Sequence, residues 1–251
     1  MSLRGEREAL TGRVHSFQSL GAVDGPGLRY VVFLQGCPLR CAYCHNPDTW
    51  QFSGGQAYTV EQIMGRVRRC APYIKTGGGV TVTGGEPLAQ PVFTAALLAA
   101  ARAEGYHTVL DTSGAGGGEA VRQVLRHTSL VLADLKFTTE EGYARYTGGS
   151  LAVTLQFLQT VARLRIPLWV RHVVVPGLTD GAEHLERLAA LLQDCPTLQK
   201  VELLPFRKLC TEKYASMGVK FPLEEIPEAT EGDIDRARCV LAGFLGRGVA
   251  L

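Results

Sequence analysis

Three cysteines that lie within eight residues form the part of the chain best suited to chemistry. Cys37, Cys41 and Cys44 follow a Cys-x3-Cys-x2-Cys spacing, so three thiolates on one loop can reach one centre. A [4Fe–4S] cluster is normally held by four cysteines. Three would leave one iron without a protein ligand, and an open metal position can hold a substrate. Zinc is the alternative, but its fourth ligand would be His45, which is awkward because it adjoins Cys44.

The other four cysteines are scattered and fit buried small hydrophobic residues; they are Cys70, Cys195, Cys210 and Cys239. The first residues of the chain are too charged for the apolar segment of a signal peptide. We therefore expect a reducing compartment, the cytoplasm. There, seven cysteines with three crowded together indicate metal or redox chemistry rather than structural disulfides.

Composition excludes several classes of protein. The 251 residues are 46% hydrophobic and 20% charged, as in soluble globular proteins. The net charge of +2, from 26 basic and 24 acidic residues, argues against a general nucleic-acid binder. No segment approaches the roughly 20 apolar residues of a membrane span.

Short apolar runs alternate with helical patterns along the chain. Runs rich in Val, Leu, Ile or Phe predict six strands, at residues 28–34, 79–83, 107–111, 130–136, 168–175 and 200–205. Helices are predicted at residues 60–71, 91–104, 119–127, 154–164, 182–195 and 233–245. Thr59 and Gln62 form a capping-box pattern at the first of these helices.

This alternation predicts an α/β fold with a parallel sheet and right-handed crossovers. Six units would form a partial (β/α)6 barrel, and an open doubly wound sheet is the structural alternative. We expect one domain over residues 1–251, with residues 1–11 as an N-terminal extension. The chemistry of such folds sits beyond the carboxyl ends of the strands, where this chain places glycines and polar residues.

The cysteine spacing resembles that of the radical S-adenosylmethionine (radical SAM) superfamily. More of the chain is similar to one of its families, the pyruvate formate-lyase activating enzymes. The similar segments include GRVHSF at 12–17, VDGPGLR at 23–29, YCHNPDTW at 43–50, GGGVT at 77–81, HTVLDTSG at 107–114, DLK at 134–136, VVVPG at 173–177 and ELLP at 202–205. The resemblance begins near residue 12 and continues to the end of the chain.

The resemblance implies a function. In this family a [4Fe–4S] cluster binds S-adenosylmethionine and cleaves it reductively, and the 5′-deoxyadenosyl radical takes a hydrogen atom from one glycine of pyruvate formate-lyase. The resemblance also implies flavodoxin or ferredoxin as electron donor and a monomeric protein. The chain lacks the cysteines of the ferredoxin-like insert that some related activating enzymes carry.

The resemblance also implies roles for residues near the cluster. Gly84, Gly85 and Glu86 would contact the methionyl amino group, with an ordinary strand-to-helix turn as the alternative. Tyr43 would stack on adenine, and His45 flanks the same cysteine. Each of these could instead serve only loop packing.

Four charged residues complete the predicted site. By resemblance, Asp111 and Asp134 hold a monovalent cation beside the substrate, although Asp111 could instead cap a helix. Lys136 shares a strand face with Asp134 and could donate to ribose hydroxyls or a carboxylate. Arg171, inside an apolar strand, either clamps the substrate carboxylate or pairs internally with an aspartate.

One position departs from the family. Arg207 stands where the family commonly has a histidine near the ribose. Because arginine donates but does not accept hydrogen bonds, the ribose contact would change or be lost.

Other functions remain open at this stage. A radical SAM enzyme acting on a small molecule, such as a deazapurine synthase, would share the cysteine loop and the short barrel. An activating enzyme for another glycyl-radical protein would share nearly all of the chain's features. The non-enzymatic alternative is a zinc-binding or electron-transfer module.

Overall fold

The computed structural model describes residues 10–193, 195–245 and 249–251. Most of the predicted N-terminal extension, residues 1–9, lies outside the described residues. The described strands form one eight-stranded sheet in the order β3-β1-β2-β4-β5-β6-β7-β8. The strands are β1 Thr11–Gly21, β2 Arg29–Leu34, β3 Gln56–Thr59, β4 Gly79–Gly84, β5 His107–Thr112, β6 Leu130–Asp134, β7 Leu168–Val174 and β8 Leu198–Pro205.

Six of these strands are parallel and correspond to the six that the sequence predicts. Strands β2, β4, β5, β6, β7 and β8 are neighbours in that order, and each pair is parallel. Their carboxyl ends therefore meet at one edge of the sheet. The prediction of an α/β fold with a partial (β/α)6 barrel is confirmed.

Two strands that the sequence pattern does not predict, β1 and β3, extend the sheet beyond β2. Strand β1 pairs with β2 and strand β3 pairs with β1, both in antiparallel fashion. Strand β1 shows no regular alternation of buried and exposed side chains, because its pairing register with β2 shifts twice. The shifts lie between Val14 and Ser16 and between Gln18 and Gly21. Strand β3 has only four residues, and none of them is fully buried. Because Thr11 begins β1, it belongs to the sheet and not to the N-terminal extension.

Most of the segments that connect the strands contain helices. They are α1 Val60–Arg69, α2 Ala71–Ile74, α3 Pro91–Ala103, α4 Gly118–Arg126, α5 Glu140–Thr147, α6 Leu151–Arg163, α7 Ala182–Leu192, α8 Thr211–Ser216 and α9 Glu231–Ala242. All six predicted helices are present, and α2, α5 and α8 are additional. None of the helices in the described part of the chain combines the length and hydropathy needed to cross a bilayer.

Local hydrogen bonds determine where the helices begin. The predicted capping box is present at α1, where Thr59 accepts from the Gln62 backbone and Gln62 accepts from the Thr59 backbone. Helix α6 begins three residues before its predicted start because the Ser150 side chain caps it. A second capping box, formed by Thr230 and Asp233, begins α9.

The loop between β1 and β2 is attached to the parallel strands by Arg29, whose side chain is fully buried. Its guanidinium donates to Pro26 O in the loop, at 2.8 Å, and to Thr81 Oγ1 on β4, at 2.5 Å. It also donates to the carbonyl oxygens of Val80 and His107, each at 2.9 Å. These bonds satisfy a charge that would otherwise be costly to bury.

Candidate active site

A cavity of about 250 Å³ opens at the carboxyl ends of the parallel strands. Its walls combine the cysteine loop with strand ends from across the sheet. The lining residues are Cys37, Leu39, Cys41, Tyr43, Cys44, His45, Asn46, Thr83, Gly84, Gly85, Asp111, Thr112, Ser113, Asp134, Lys136, Arg171, Val173, Leu204 and Pro205. Eleven of the thirteen predicted site residues are among them; Glu86 and Arg207 are not.

Backbone hydrogen bonds to α5 shape the loop that follows β2 and carries the three cysteines. Arg40 N donates to Thr147 O, and Ala42 N donates to Tyr146 O, both at 2.8 Å. The Arg40 guanidinium bonds back to the carbonyl oxygen of Cys37, also at 2.8 Å. The loop is thus held between the end of β2 and a helix that the sequence analysis did not predict.

The three thiols sit in surroundings that disfavour a free thiolate. Burial raises the pKa of Cys37 to about 12 and that of Cys41 to about 11, and it raises the pKa of Cys44 as well. A bound metal centre supplies the positive charge that stabilises such thiolates. All three cysteines are free and face one cavity, so the donor set fits an iron–sulfur cluster.

The same residues fit a single zinc ion poorly. In the described part of the chain, no three His, Cys, Asp or Glu side chains converge on one ion position. A cluster binds each thiolate at a different iron, so its ligands need not converge on one point. The nearby Cys210 is buried and does not line the cavity.

Gly84 and Gly85 line the cavity, but the protein backbone is what requires them to be glycine. A Cβ atom at Gly84, whose φ is +112°, would lie 2.3 Å from Leu34 N, and one at Gly85 would lie 2.3 Å from Gly36 O. Glu86 N also donates to Gly36 O at 2.8 Å. The two glycines therefore let the end of β4 pack against the start of the cysteine loop.

The structure turns the Glu86 side chain away from the cavity. Glu86 is fully buried, and its carboxylate accepts bonds from the backbone and hydroxyl of Ser113, the Thr112 hydroxyl and Leu88 N, at 2.5–2.9 Å. These bonds connect the turn after β4 to the end of β5. Any contact of this position with a ligand must therefore come from its backbone.

Asp111 and Asp134 face the cavity from neighbouring strands. Asp111 accepts from the Thr83 hydroxyl at 2.8 Å and pairs with Arg171 at 3.2 Å. Burial raises the pKa of Asp111 to about 6 in spite of the attraction of Arg171. Lys136 lies 2.9 Å from Asp134. Burial lowers the pKa of Lys136, but Asp134 and the other groups around the ammonium outweigh it and raise that pKa well above its usual range.

Arg171 pairs inside the protein, which was one of the two alternatives for this residue. Besides Asp111, its guanidinium contacts Glu202 at 2.9 Å and the carbonyl oxygen of Val23. Burial lowers the pKa of Arg171, but Asp111 and the other acidic neighbours outweigh this and raise it. The role as a clamp for a substrate carboxylate stays a prediction.

The aromatic residues of the cysteine loop reach other parts of the chain. The buried Tyr43 donates its hydroxyl to Lys136 O at 3.2 Å, and the Lys136 ammonium lies 5.9 Å from the ring centroid. His45 Nε2 donates to Arg207 O at 2.9 Å. The Arg207 guanidinium bonds instead to Ala229 O, so the side chain that replaces the family's histidine points elsewhere.

Three polar residues of the cavity wall had no role assigned from the sequence, although Thr112 and Ser113 lie in a strand-end segment expected at the site. Thr83 precedes Gly84 at the end of β4, and Thr112 and Ser113 follow Asp111 at the end of β5. Their positions beside residues already singled out are the signal that would have found them. Their hydroxyl groups carry no chemical signature of their own in the sequence.

Comparison with known proteins defines the class first. The Radical SAM superfamily model matches residues 31–192, which include the three cysteines, most of β2 and all of β3 through β7. Among solved structures, Streptococcus suis SuiB bound to precursor peptide SuiA has a TM-score of 0.68, with 13% identity, over 88% of this chain and 47% of that one. At this identity the likeness concerns the fold alone. The family match and the fold place the chain in the radical SAM superfamily.

Curated relatives narrow the class to a family. The pyruvate formate-lyase-activating enzyme of Clostridium pasteurianum is 44% identical over 216 residues, which is 86% of this chain and 90% of the relative. That of Staphylococcus aureus (strain USA300) is 38% identical over 246 residues, 95% of this chain and 98% of the relative. The chain belongs to the pyruvate formate-lyase-activating enzymes. The resemblance seen in the sequence motifs is thereby confirmed.

Proposed function

We propose that this protein activates pyruvate formate-lyase by generating a glycyl radical on it. The observation that carries the proposal is one cavity lined by three free cysteines together with the polar ends of four parallel strands. The cofactors are a [4Fe–4S] cluster and S-adenosylmethionine. When bound, they supply the 5′-deoxyadenosyl radical by reductive cleavage.

The chain's own residues bind and orient these groups. Cys37, Cys41 and Cys44 would hold the cluster, and with only three cysteine ligands one iron would stay open to S-adenosylmethionine. The backbone at Gly84 and Gly85 borders the same space, and Lys136 offers an ammonium to a ribose hydroxyl or a carboxylate. The internal bonds of Arg171 support a role in keeping Asp111 ionised and in place.

Asp111 and Asp134 are proposed to hold a monovalent cation beside the substrate. The pair faces the cavity, and each carboxylate has a cationic neighbour, Arg171 or Lys136. Tyr43 and His45 border the nucleotide from the cysteine loop. The Tyr43 hydroxyl and His45 Nε2 already bond to Lys136 O and Arg207 O, so what these two residues offer the nucleotide is chiefly ring surface.

The partner must bring one glycine to the cavity, so the cavity has to exclude water and orient a single C–H bond. Orientation of this kind is worth roughly 7–11 kcal/mol.

We also propose that the protein is a single domain with a short N-terminal extension and that it is a monomer in solution. Flavodoxin or ferredoxin is proposed as its electron donor. Seven free cysteines support a reducing location, the cytoplasm.

The test is anaerobic mixing of the reconstituted protein with reductant, S-adenosylmethionine and pyruvate formate-lyase. We expect a glycyl-radical signal in the partner by electron paramagnetic resonance. Cys41→Ala should lose the cluster, by iron and sulfide analysis, and the signal, while its circular dichroism spectrum stays native. Cys239→Ala is the matched control, since Cys239 is exposed on α9 and should change neither.

Three results would contradict the proposal. A Cys41→Ala variant that still yields the radical would show that the cysteine loop is not the reaction centre. Zinc without iron in anaerobically purified protein would favour the zinc module. Turnover of a small molecule with no radical on pyruvate formate-lyase would favour the small-molecule enzyme.

A further inference from the structure

The segment that follows β6 leaves the sheet while it carries two residues of the site. Strand β6 ends at Asp134, and Leu135 and Lys136 come next. Asp134 and Lys136 line the cavity and form an ion pair at 2.9 Å. Leu135 N still donates to Arg171 O on β7 at 3.0 Å. Beyond that bond, the backbone here needs partners outside the sheet.

Three side chains from three elements supply those partners. Leu135 O accepts from His172 Nδ1 on β7 at 2.6 Å. Lys136 N donates to the Tyr143 hydroxyl on α5 at 3.1 Å, and Lys136 O accepts from the Tyr43 hydroxyl at 3.2 Å. Every backbone N–H and carbonyl group of Leu135 and Lys136 thus has a partner. Without regular secondary structure, the position of the segment depends on these side chains.

The bond from His172 continues as a chain of hydrogen bonds. Because Leu135 O only accepts, His172 Nδ1 carries the proton, and Nε2 of the neutral ring accepts from His184 Nε2 at 3.2 Å. His184 Nδ1 then accepts from the Thr138 hydroxyl, also at 3.2 Å. Thr138 in turn accepts from Arg187 at 3.3 Å, on the outer helix α7. This chain fixes the tautomer and orientation of His172.

We infer that Tyr143 and His172 are positioning residues, which hold Leu135 and Lys136 so that the Lys136 ammonium and the Asp134 carboxylate face the nucleotide. Tyr143 is 1% exposed and His172 is 1% exposed, and neither lines the cavity. They act through the backbone and not by contact with a ligand. The inference deepens the proposed function and rests on it for the identity of the nucleotide.

Tyr143→Phe removes the acceptor of Lys136 N and preserves the ring. The matched control is Tyr146→Phe on the same helix, since the Tyr146 hydroxyl bonds to no residue in the described part of the chain and its ring stacks on Phe137. Hydrogen exchange at the Lys136 amide, measured without any cofactor, should become at least about tenfold faster in Tyr143→Phe. Tyr146→Phe should exchange like the unaltered protein.

The second readout is S-adenosylmethionine affinity, measured by titration calorimetry on cluster-loaded protein. Loss of one buried hydrogen bond should raise the Kd about three- to tenfold in Tyr143→Phe and leave it unchanged in Tyr146→Phe. At position 172, Asn places an amide N–H near the site of Nδ1, so His172→Asn should keep most of the affinity. His172→Leu, which offers no donor, should lose it to a similar extent as Tyr143→Phe.

Each outcome bears on the inference separately from the proposed function. If the unaltered protein fails to bind S-adenosylmethionine, the proposed function is contradicted, and the inferred role of Leu135 and Lys136 in nucleotide binding is contradicted as well. Unaltered protein that binds, with normal Lys136 exchange in Tyr143→Phe, overturns the inference alone. A Tyr143→Phe variant with a lower melting temperature but unchanged Kd shows a merely structural residue and also overturns it. If His172→Leu does not fold, Tyr143→Phe decides.

Discussion

Two carboxylates at the ends of neighbouring strands, Glu86 and Asp111, have opposite surroundings. Glu86 accepts four hydrogen bonds and is fully enclosed. Asp111 faces the cavity, and burial raises its pKa to about 6, although Arg171 and the Thr83 hydroxyl favour its ionised form. Glu86 therefore holds the fold together at the site, and Asp111 remains available to a cationic ligand.

The close approach of β4 to the cysteine loop predicts the effect of adding one methyl group. Gly85→Ala would place a Cβ 2.3 Å from Gly36 O, so the backbone beside Cys37 must move. We expect a loss of about 1–3 kcal/mol in unfolding free energy, together with reduced iron content. Gly65→Ala is the control, since no atom lies within 4 Å of its added Cβ. Helix propensity should make that variant more stable by roughly 0.5–1 kcal/mol.

Urea unfolding and iron analysis of the two variants measure this prediction. Equal stability and equal iron content in both variants would contradict the account of the β4 turn.

The sequence allowed the residue types at the strand ends to be predicted, but not the directions in which their side chains point. Cys37, Cys41, Cys44, Asp111 and Asp134 carry a chemical signature that spacing and strand position reveal. The inward turn of Glu86 depends on the hydroxyl groups of Thr112 and Ser113 at the end of β5, more than 25 residues further along the chain. The rotation of Arg207 toward Ala229 O depends on the loop before α9 in the same way.

At the scale of elements, the hairpin loop between β1 and β2 packs against the parallel strands. Arg29 makes the central contacts, to Pro26 in the loop and to Thr81, Val80 and His107 on β4 and β5. Thr81 Oγ1 donates in turn to Asp24 O at 2.8 Å. The loop is therefore fixed to the strands that lead to the site.

Removal of the Arg29 guanidinium should weaken this connection. In Arg29→Met, several buried carbonyl oxygens and the Thr81 hydroxyl lose a charged donor, and we expect a loss of about 3 kcal/mol or more in unfolding free energy. Arg69→Met, at an exposed position at the end of α1, should change it by less than about 0.5 kcal/mol. Denaturant unfolding tests both variants. A loss of similar size in the two would mean that the Arg29 contacts contribute nothing specific.

Element prediction succeeded where the apolar pattern was regular. The six parallel strands are rich in Val, Leu, Ile or Phe, and several are nearly continuous apolar runs, because helices cover the sheet. The antiparallel β1 is interrupted by two register shifts, and β3 is short and partly exposed, so neither gives a clear period. Helix α5 has only two buried residues, Tyr143 and Thr147, and its helical pattern is correspondingly weak.

At the scale of the whole molecule, a buried histidine pair makes stability depend on pH. Burial lowers the pKa of His172 to about 4, and burial together with His172 and Arg187 lowers that of His184 to about 3. Asp134 and Lys136 also act on His172, in opposite directions. Both rings stay neutral in the folded protein, whereas the unfolded chain takes up protons near pH 6.5.

Folding stability from this pair is therefore fully present above about pH 6.5 and is lost as the pH falls toward 4. Between pH 7 and pH 5, each histidine should lower the free energy of unfolding by about 2 kcal/mol. Urea unfolding at the two pH values should show this loss, and the double variant His172→Asn/His184→Gln should show a much smaller one. Arg69→Met, at the exposed position used above, is the control and should show the slope of the unaltered protein. An equally steep slope in the double variant would contradict the assignment.

The central claim is that three cysteines hold a [4Fe–4S] cluster whose fourth iron is open to S-adenosylmethionine. The most direct measurement is the electron paramagnetic resonance spectrum of the reduced, reconstituted protein before and after S-adenosylmethionine is added. We expect a cluster signal that changes on addition and that is absent in Cys41→Ala. A cluster signal that S-adenosylmethionine leaves unaltered would mean a fourth protein ligand, and it would contradict the account.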